Sequence, residues 1–113
     1  MLFRSDHKNI CDLPKEIIVF DTEFTAWEGN FEHGWNQPGE HREVVEIGAV
    51  RIETEHLTEL DSFDVYVKPV KNPTLSDYFI QLTGITQDTV DTDGISFSEA
   101  VSRFSKWCGL TPI

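Results

Sequence analysis

Two carboxylates stand one residue apart at the end of an apolar run. The segment Glu16–Thr25 reads EIIVFDTEFT, so Asp21 and Glu23 directly follow a stretch that is typical of a buried strand. Alternate residues of a strand leave the same face, and both carboxylates can therefore reach one point in space. Such hard oxygen donors suit Mg²⁺ or Mn²⁺, and two divalent ions can activate water and stabilise the leaving oxygen of a phosphodiester. The same pair is also compatible with an ordinary exposed strand end.

The elements that must hold this pair follow from the apolar periodicity. Predicted strands cover residues 16–22, 44–53 and 61–68, and predicted helices cover 74–82 and 96–108. Short connections favour an antiparallel meander. Because the first strand is apolar on both faces, we expect it to lie centrally in the sheet, with the second strand antiparallel beside it.

The last predicted helix, 96–108, carries an apolar face that needs a partner. Ser96 and Glu99 fit a capping box at its start. The apolar positions at helical spacing are Phe97, Ala100, Val101, Phe104 and Trp107. Of these we expect Phe104 and Trp107 in the core. A three-stranded sheet with an open edge offers little cover, so we expect a further strand parallel to the first. The chain then divides into a lead-in, 1–15, and the N-terminal half of a larger domain, 16–113, that ends before the later motifs.

Composition narrows the class of protein. The 113 residues suffice for one small globular domain. Cys11 and Cys108 lie far apart and match no metal spacing, which indicates free thiols in a reducing compartment. The N-terminus lacks an apolar signal core, so we expect no secretion signal. The sequence also has no apolar run near the roughly 20 residues that a membrane helix needs. Together with the reducing compartment that the cysteines indicate, this predicts a cytoplasmic protein without a membrane association. The net charge of −11 counts against a nucleic-acid surface spread over the whole chain, although divalent cations or a basic region elsewhere can balance it.

Three motifs in order resemble the DEDD superfamily of 3′–5′ exonucleases. They are IVFDTEFT (residues 18–25), EIGAV (46–50) and LTGIT (82–86). The stretch 68–90 is most similar to the Eri-type subgroup, which implies the DEDDh branch, the branch that uses a histidine base. The resemblance implies an α/β ribonuclease H-like exonuclease fold, present in part as a three-stranded antiparallel meander followed by helices.

The resemblance also implies roles by position. Asp21 and Glu23 match the first catalytic, metal-binding pair, which would hold Mg²⁺ or Mn²⁺, two ions in the complete domain. Four further positions match the family's contacts to the nucleic acid. Phe24 and Thr25 lie where the backbone meets the terminal nucleotide. Trp27 and Leu82 lie where apolar side chains stack on or wedge against bases.

The sequence departs from the family pattern downstream. The family needs two more aspartates and a histidine base after the helix 96–108, and no residue after Trp107 can supply them. We therefore expect a nuclease acting on single-stranded RNA or DNA 3′ ends as the complete domain, with this chain alone inactive. One rival is a truncated or pseudo-exonuclease that serves as a binding or assembly module. Another is an unrelated small α/β binding domain with a chance carboxylate pair, which would bind no divalent ion.

Other candidates remain open at this stage. Glu46 either orients a neighbour of the site or is a polar residue on a half-exposed strand. Leu82 either contacts the nucleic acid or packs as the last residue of a short helix. The loop 25–43 is long and aromatic, but His33 and His41 match no recognised metal spacing, which indicates a solvated polar loop.

Overall fold

The computed structural model describes residues 13–113 as one antiparallel sheet with helices. The three strands are β1 (Glu16–Phe24), β2 (Val44–Glu53) and β3 (Thr58–Tyr66). The helices are α1 (Asn30–His33), α2 (Asp77–Thr83), α3 (Gln87–Asp93) and α4 (Phe97–Cys108). Most of the predicted lead-in, together with Cys11, lies outside the described residues. No helix between residues 13 and 113 is long and apolar enough to cross a membrane.

The sheet has the order β1-β2-β3, and both pairings are antiparallel. The predicted meander and the pairing of β1 with β2 are thus confirmed. The central position of β1 is not found in the described part of the chain, because β2 is the middle strand. The outer edge of β1 is contacted instead near the C-terminus, where the Ile18 N–H donates to the Pro112 carbonyl at 2.8 Å.

The apolar face of α4 covers one face of the sheet. Ala100 is fully buried there, and the Phe104 ring lies 5.4 Å from that of Phe20 and 5.6 Å from that of Phe63. The expectation that a three-stranded sheet offers this helix little cover is therefore wrong for the side of α4 that faces the sheet. The large apolar side chains of α4 that stay exposed are Phe97 and Val101.

Arg51 of β2 fastens the end of α4 to the sheet. Its guanidinium stacks over the Trp107 ring at 4.7 Å and donates to the Trp107 carbonyl and to the Thr111 hydroxyl. A carboxylate oxygen of Glu16 lies 3.9 Å away. These contacts use the one positive charge of β2, so this cation belongs to the scaffold. Phe104 and Trp107 are core residues, as the helical spacing predicts.

A second core forms where β2 begins. Val45, Phe79 of α2 and Val90 of α3 are almost completely buried in it. Helix α2 begins after Ser76, whose hydroxyl accepts from the Phe79 N–H, and the corresponding cap of α3 is Thr86. The sequence analysis missed α3, because a seven-residue helix with a single buried apolar residue shows no periodicity.

Two further segments differ from the sequence-based expectation. Strand β3 begins and ends earlier than 61–68, and Val67 instead forms an isolated parallel bridge with Ile95. Gly94, the residue before Ile95, has to be glycine, since a Cβ there would lie 2.4 Å from the Val90 carbonyl oxygen. The one-turn helix α1 lies inside the predicted loop 25–43.

Candidate functional site

The carboxylate pair lies on the face of the sheet opposite α4. In the ladder, Asp21 pairs with Gly48 and Glu23 pairs with Glu46. Directly paired residues of neighbouring strands project from the same face. On the far side of β2, Gly48 pairs in turn with Asp64. Four carboxylates from three strands therefore share one face, and Gly48 places no side chain between two of them.

Glu46 is the member most perturbed by this arrangement. Its pKa is raised from 4.5 to about 7, first by burial, then by the hydrogen bond and charge of Asp64, and then by the charges of Glu23 and Asp21. Each cause penalises the ionised form. Glu46 therefore shares the face and the electrostatics of the carboxylate pair, and its role in orienting a neighbour of the site stays a prediction.

No cation of residues 13–113 forms an ion pair with any of the four carboxylates. The main-chain N–H of Thr22 donates to Asp21 at 2.9 Å. Such a face stores repulsion that a divalent cation relieves, and its carboxylate oxygens are the donors that Mg²⁺ and Mn²⁺ prefer. The donor chemistry thus fits the metal that the sequence predicts.

The residues after the pair are held by the loop that follows. Thr25 is buried; its N–H donates to the Glu43 carbonyl at 2.8 Å, and its carbonyl accepts from Trp35 Nε1 at 2.7 Å. Its hydroxyl donates to the His41 carbonyl at 2.5 Å. The backbone N–H of Thr25 therefore cannot donate to a nucleotide. A nucleotide that contacts this position has to do so without that hydrogen bond.

Phe24 forms one wall of an aromatic sandwich. The Arg42 guanidinium lies 4.5 Å from the centre of the Phe24 ring and 4.6 Å from that of Trp35. Stacking of this kind orients a guanidinium without neutralising it. The structure therefore places a positive charge immediately beside the residue that follows Glu23.

Trp27 and Leu82 lie on different elements. Trp27 is half-buried, and its N–H donates to the Asn30 side chain at 2.5 Å. Leu82 is 55% exposed near the end of α2, so the alternative that it packs into the core is wrong. The start of α2 is nevertheless tied to the segment of Trp27, because the Ser76 hydroxyl donates to the Ala26 carbonyl at 2.5 Å.

The polar side chains of the loop 25–43 organise the backbone. Glu40 accepts from the buried Asn30 side chain at 3.0 Å, and His41 bonds to Asn72. Glu43 accepts from the N–H groups of residues 70–72. The interpretation of a solvated polar loop was thus too simple, because several of its polar side chains hold the backbone of the loop in place.

A group of three metal-type side chains within 4.8 Å of one another does occur in the β2–β3 turn. It consists of Glu53, Glu55 and His56. Glu53 accepts from the N–H groups of both other residues, so hydrogen bonds within the turn explain the cluster.

Asp64 and Arg42 were not among the site residues predicted from the sequence. Asp64 could have been found from the alternation in β3, where Phe63 and Val65 point to α4 and the residue between them points away. Arg42 carries no such signal, because its position depends on the fold of an irregular loop.

Comparison with known proteins decides the family. Residues 18–111 match the family model described as Exonuclease (RNase_T). The chain belongs to the RNase T exonuclease family. Its Eri-type resemblance is confirmed by two human relatives: ERI1 exoribonuclease 2 is 36% identical over 94% of this chain and 14% of the relative, and 3′-5′ exoribonuclease 1 is 37% identical over 83% of this chain and 25% of the relative.

A solved structure supports the fold assignment. The nuclease domain of 3′hExo, described as a DEDDh family member bound to rAMP, superposes with a TM-score of 0.70 at 35% identity. The match covers 85% of this chain and 44% of that one. The sheet and helices thus form part of the ribonuclease H-like exonuclease fold. The chain spans a quarter or less of the two human relatives.

Proposed function

We propose that this chain supplies the first metal-binding pair and part of the nucleotide-binding surface of a 3′–5′ exonuclease. The observation that carries the proposal is the face bearing Asp21, Glu23, Glu46 and Asp64, which holds four carboxylates without an ion-paired cation among the described residues. Family membership and the names of the relatives, which are exoribonucleases, favour RNA over DNA 3′ ends as the substrate.

In this reaction Asp21 and Glu23 would hold the divalent cations through their carboxylate oxygens. When bound, Mg²⁺ or Mn²⁺ activates water and neutralises the charge that develops at the phosphodiester. Glu46, whose pKa is raised to about 7, would be partly protonated near neutral pH and so limit the negative charge of the face. Phe24 and Trp27 would border the terminal nucleotide, with Leu82 as a further apolar contact.

The division of the chain into a lead-in, 1–15, and the first half of the domain, 16–113, is part of this proposal. The family's two later aspartates and histidine base have no counterpart in this sequence, so we expect negligible cleavage by this chain alone. The cytoplasmic location also stays a prediction, based on the cysteines.

The test is release of mononucleotides from a single-stranded oligoribonucleotide by the complete domain in Mg²⁺. Asp21→Asn keeps the side-chain shape and should abolish release, whereas Glu59→Gln, an equal charge loss on exposed β3, should leave it unchanged. Equal activity of wild type and Asp21→Asn would contradict the proposal. A complete protein that binds RNA but never cleaves it would instead support the binding module.

A further inference from the structure

A groove opens between the start of β2, the segment 67–70 and the first turn of α4. Its volume is about 280 Å³, which is small for a pocket that encloses a whole small-molecule ligand but sufficient for an amino-acid side chain. The floor is apolar and formed by Val44, Val67 and Pro69. At its border Val70 is 81% exposed and Phe97 is 54% exposed. The groove therefore presents apolar surface that residues 13–113 leave uncovered.

This groove is separate from the carboxylate site. Phe97 belongs to α4, which packs on the face of the sheet opposite to that of Asp21 and Glu23. None of the four carboxylates of the site lines the groove. A ligand bound in the groove would consequently leave the carboxylate face open.

Positive charge is concentrated around the groove. The chain has 9 Lys and Arg against 20 Asp and Glu, yet Arg42 and Lys68 line the groove and Lys71 follows directly after Val70. None of these three cations forms an ion pair within residues 13–113, whereas the other two arginines described, Arg51 and Arg103, do. A locally positive surface on an acidic chain indicates an anionic ligand.

The one acidic residue that lines the groove is already engaged. The carboxylate of Glu43 accepts from the N–H groups of Val70, Lys71 and Asn72 at 2.7–3.0 Å. Its charge therefore holds the backbone of the groove's border, and the three cations stay available to a ligand.

The shape and the charge of the groove favour a peptide over a nucleic acid. Its floor consists of aliphatic side chains and a proline, whereas single-stranded nucleic acids are bound by aromatic rings on which successive bases stack. A strand that ran through the groove would also continue over a protein with a net charge of −11. A short peptide can carry its carboxylates only where the three cations lie.

We propose that the groove is a docking site for an acidic peptide segment of a partner protein, anchored by one apolar side chain. The anchor would lie on the apolar floor against Phe97, and carboxylates on either side of it would pair with Arg42, Lys68 and Lys71. A buried apolar anchor supplies most of the affinity in such interfaces, and charges at the rim select the partner. The docking site lies outside the carboxylate face and is independent of the proposed function.

The test is binding of a fluorescein-labelled peptide of about ten residues, with a central leucine flanked by aspartates and glutamates, measured by anisotropy at low salt. Phe97→Ala should weaken binding about tenfold, because it removes the wall of the anchor site. Lys68→Gln with Lys71→Gln should weaken binding about fivefold at low salt. This second loss should disappear in about 1 M KCl, where the screening length is about 3 Å.

Matched controls separate the anchor from the charges. A peptide with glycine in place of the leucine, and one with asparagine and glutamine in place of the acids, should each bind more weakly than the parent peptide. Lys15→Gln with Lys106→Gln deletes two positive charges away from the groove, and Leu110→Ala truncates a fully exposed apolar side chain. Neither should change the affinity. All variants should keep the wild-type circular dichroism spectrum, because every substituted side chain is exposed.

A wild-type chain that does not bind the acidic peptide at low salt would overturn the docking site, as would wild-type affinity of either groove variant. A labelled oligouridylate that binds instead, and loses affinity in the groove variants, would make the groove a nucleic-acid site and contradict the proposal. Self-association that Phe97→Ala abolishes would assign the groove to a second copy and contradict it equally. Asp21→Asn should bind the peptide as wild type does, so the result is independent of the cleavage test.

Discussion

Replacing Glu46 by Gln should stabilise the protein, and the gain should grow as the pH rises. The folded pKa of Glu46 is about 7 against an ordinary value of 4.5, so the folded state binds this proton more tightly than the unfolded state. By linkage, the favourable contribution is fully present below pH 4.5 and is lost as the pH rises through 7. The substitution removes a carboxylate that the neighbouring charges penalise.

The size of the effect follows from the same shift. A change from 4.5 to about 7 corresponds to about 3 kcal/mol. Glu46 is only partly buried, and solvent screening reduces this to about 1 kcal/mol. For a domain of this size, about 1 kcal/mol raises Tm by roughly 4–8 °C.

The assay is thermal unfolding in EDTA, followed by circular dichroism between pH 4.5 and 8. Glu46→Gln should match wild type near pH 4.5 and exceed its Tm at pH 8, whereas Glu59→Gln should show no such divergence. A Glu46→Gln variant that is as stable as wild type at both ends of this pH range would show that folding does not raise the pKa of Glu46, and the description of its environment would be wrong.

Two further predictions concern the scaffold and the outer edge of the sheet. Burial raises the pKa of Glu43, but hydrogen bonds from the N–H groups of Lys71, Asn72 and Val70 outweigh it and lower the pKa. Glu43→Gln should therefore lower the free energy of unfolding by about 1 kcal/mol at pH 7. This loss of stability shrinks as the pH falls below 4.5. The same unfolding assay checks this, and an equal loss at pH 4 and pH 7 would contradict it. The edge of β1 exposes Val19 by 51% and Phe20 by 47%, so the chain should self-associate at high concentration. Light scattering that reports a monomer at all concentrations would refute this, and Val19→Lys should reduce any association observed.

The sequence predicts well those features that depend on local patterns. The bounds of β2 agree with the residues 44–53 read from the periodicity, and Ser96 caps α4, where its hydroxyl accepts from the Glu99 N–H at 3.2 Å. Only half of the predicted capping box is seen there, because the Glu99 carboxylate pairs with Arg103 at 2.9 Å instead. Local chemistry thus fixes where the helix begins, while competition among side chains decides the partners.

The alternation of β3 gives the face on which Asp64 lies, but its place beside Asp21 depends on strand register, and the position of Arg42 depends on irregular backbone. Asp64 joins Asp21 only through the pairing of three strands across Gly48. Arg42 reaches Phe24 only because the loop folds back onto β1. The sequence motif therefore identifies the first carboxylate pair, whereas the full charged face and the position of Arg42 require the three-dimensional structure.

The most direct test of the carboxylate face is calorimetric titration of Mn²⁺ into wild type and into Asp21→Asn, with Glu59→Gln as the charge-matched control. Wild type and Glu59→Gln should bind, and binding should tighten as the pH rises, since the ligands must be ionised. Asp21→Asn should lose that binding while it keeps a wild-type circular dichroism spectrum. If the folded Asp21→Asn variant binds Mn²⁺ as wild type does, then Asp21 and Glu23 are only a charged strand end.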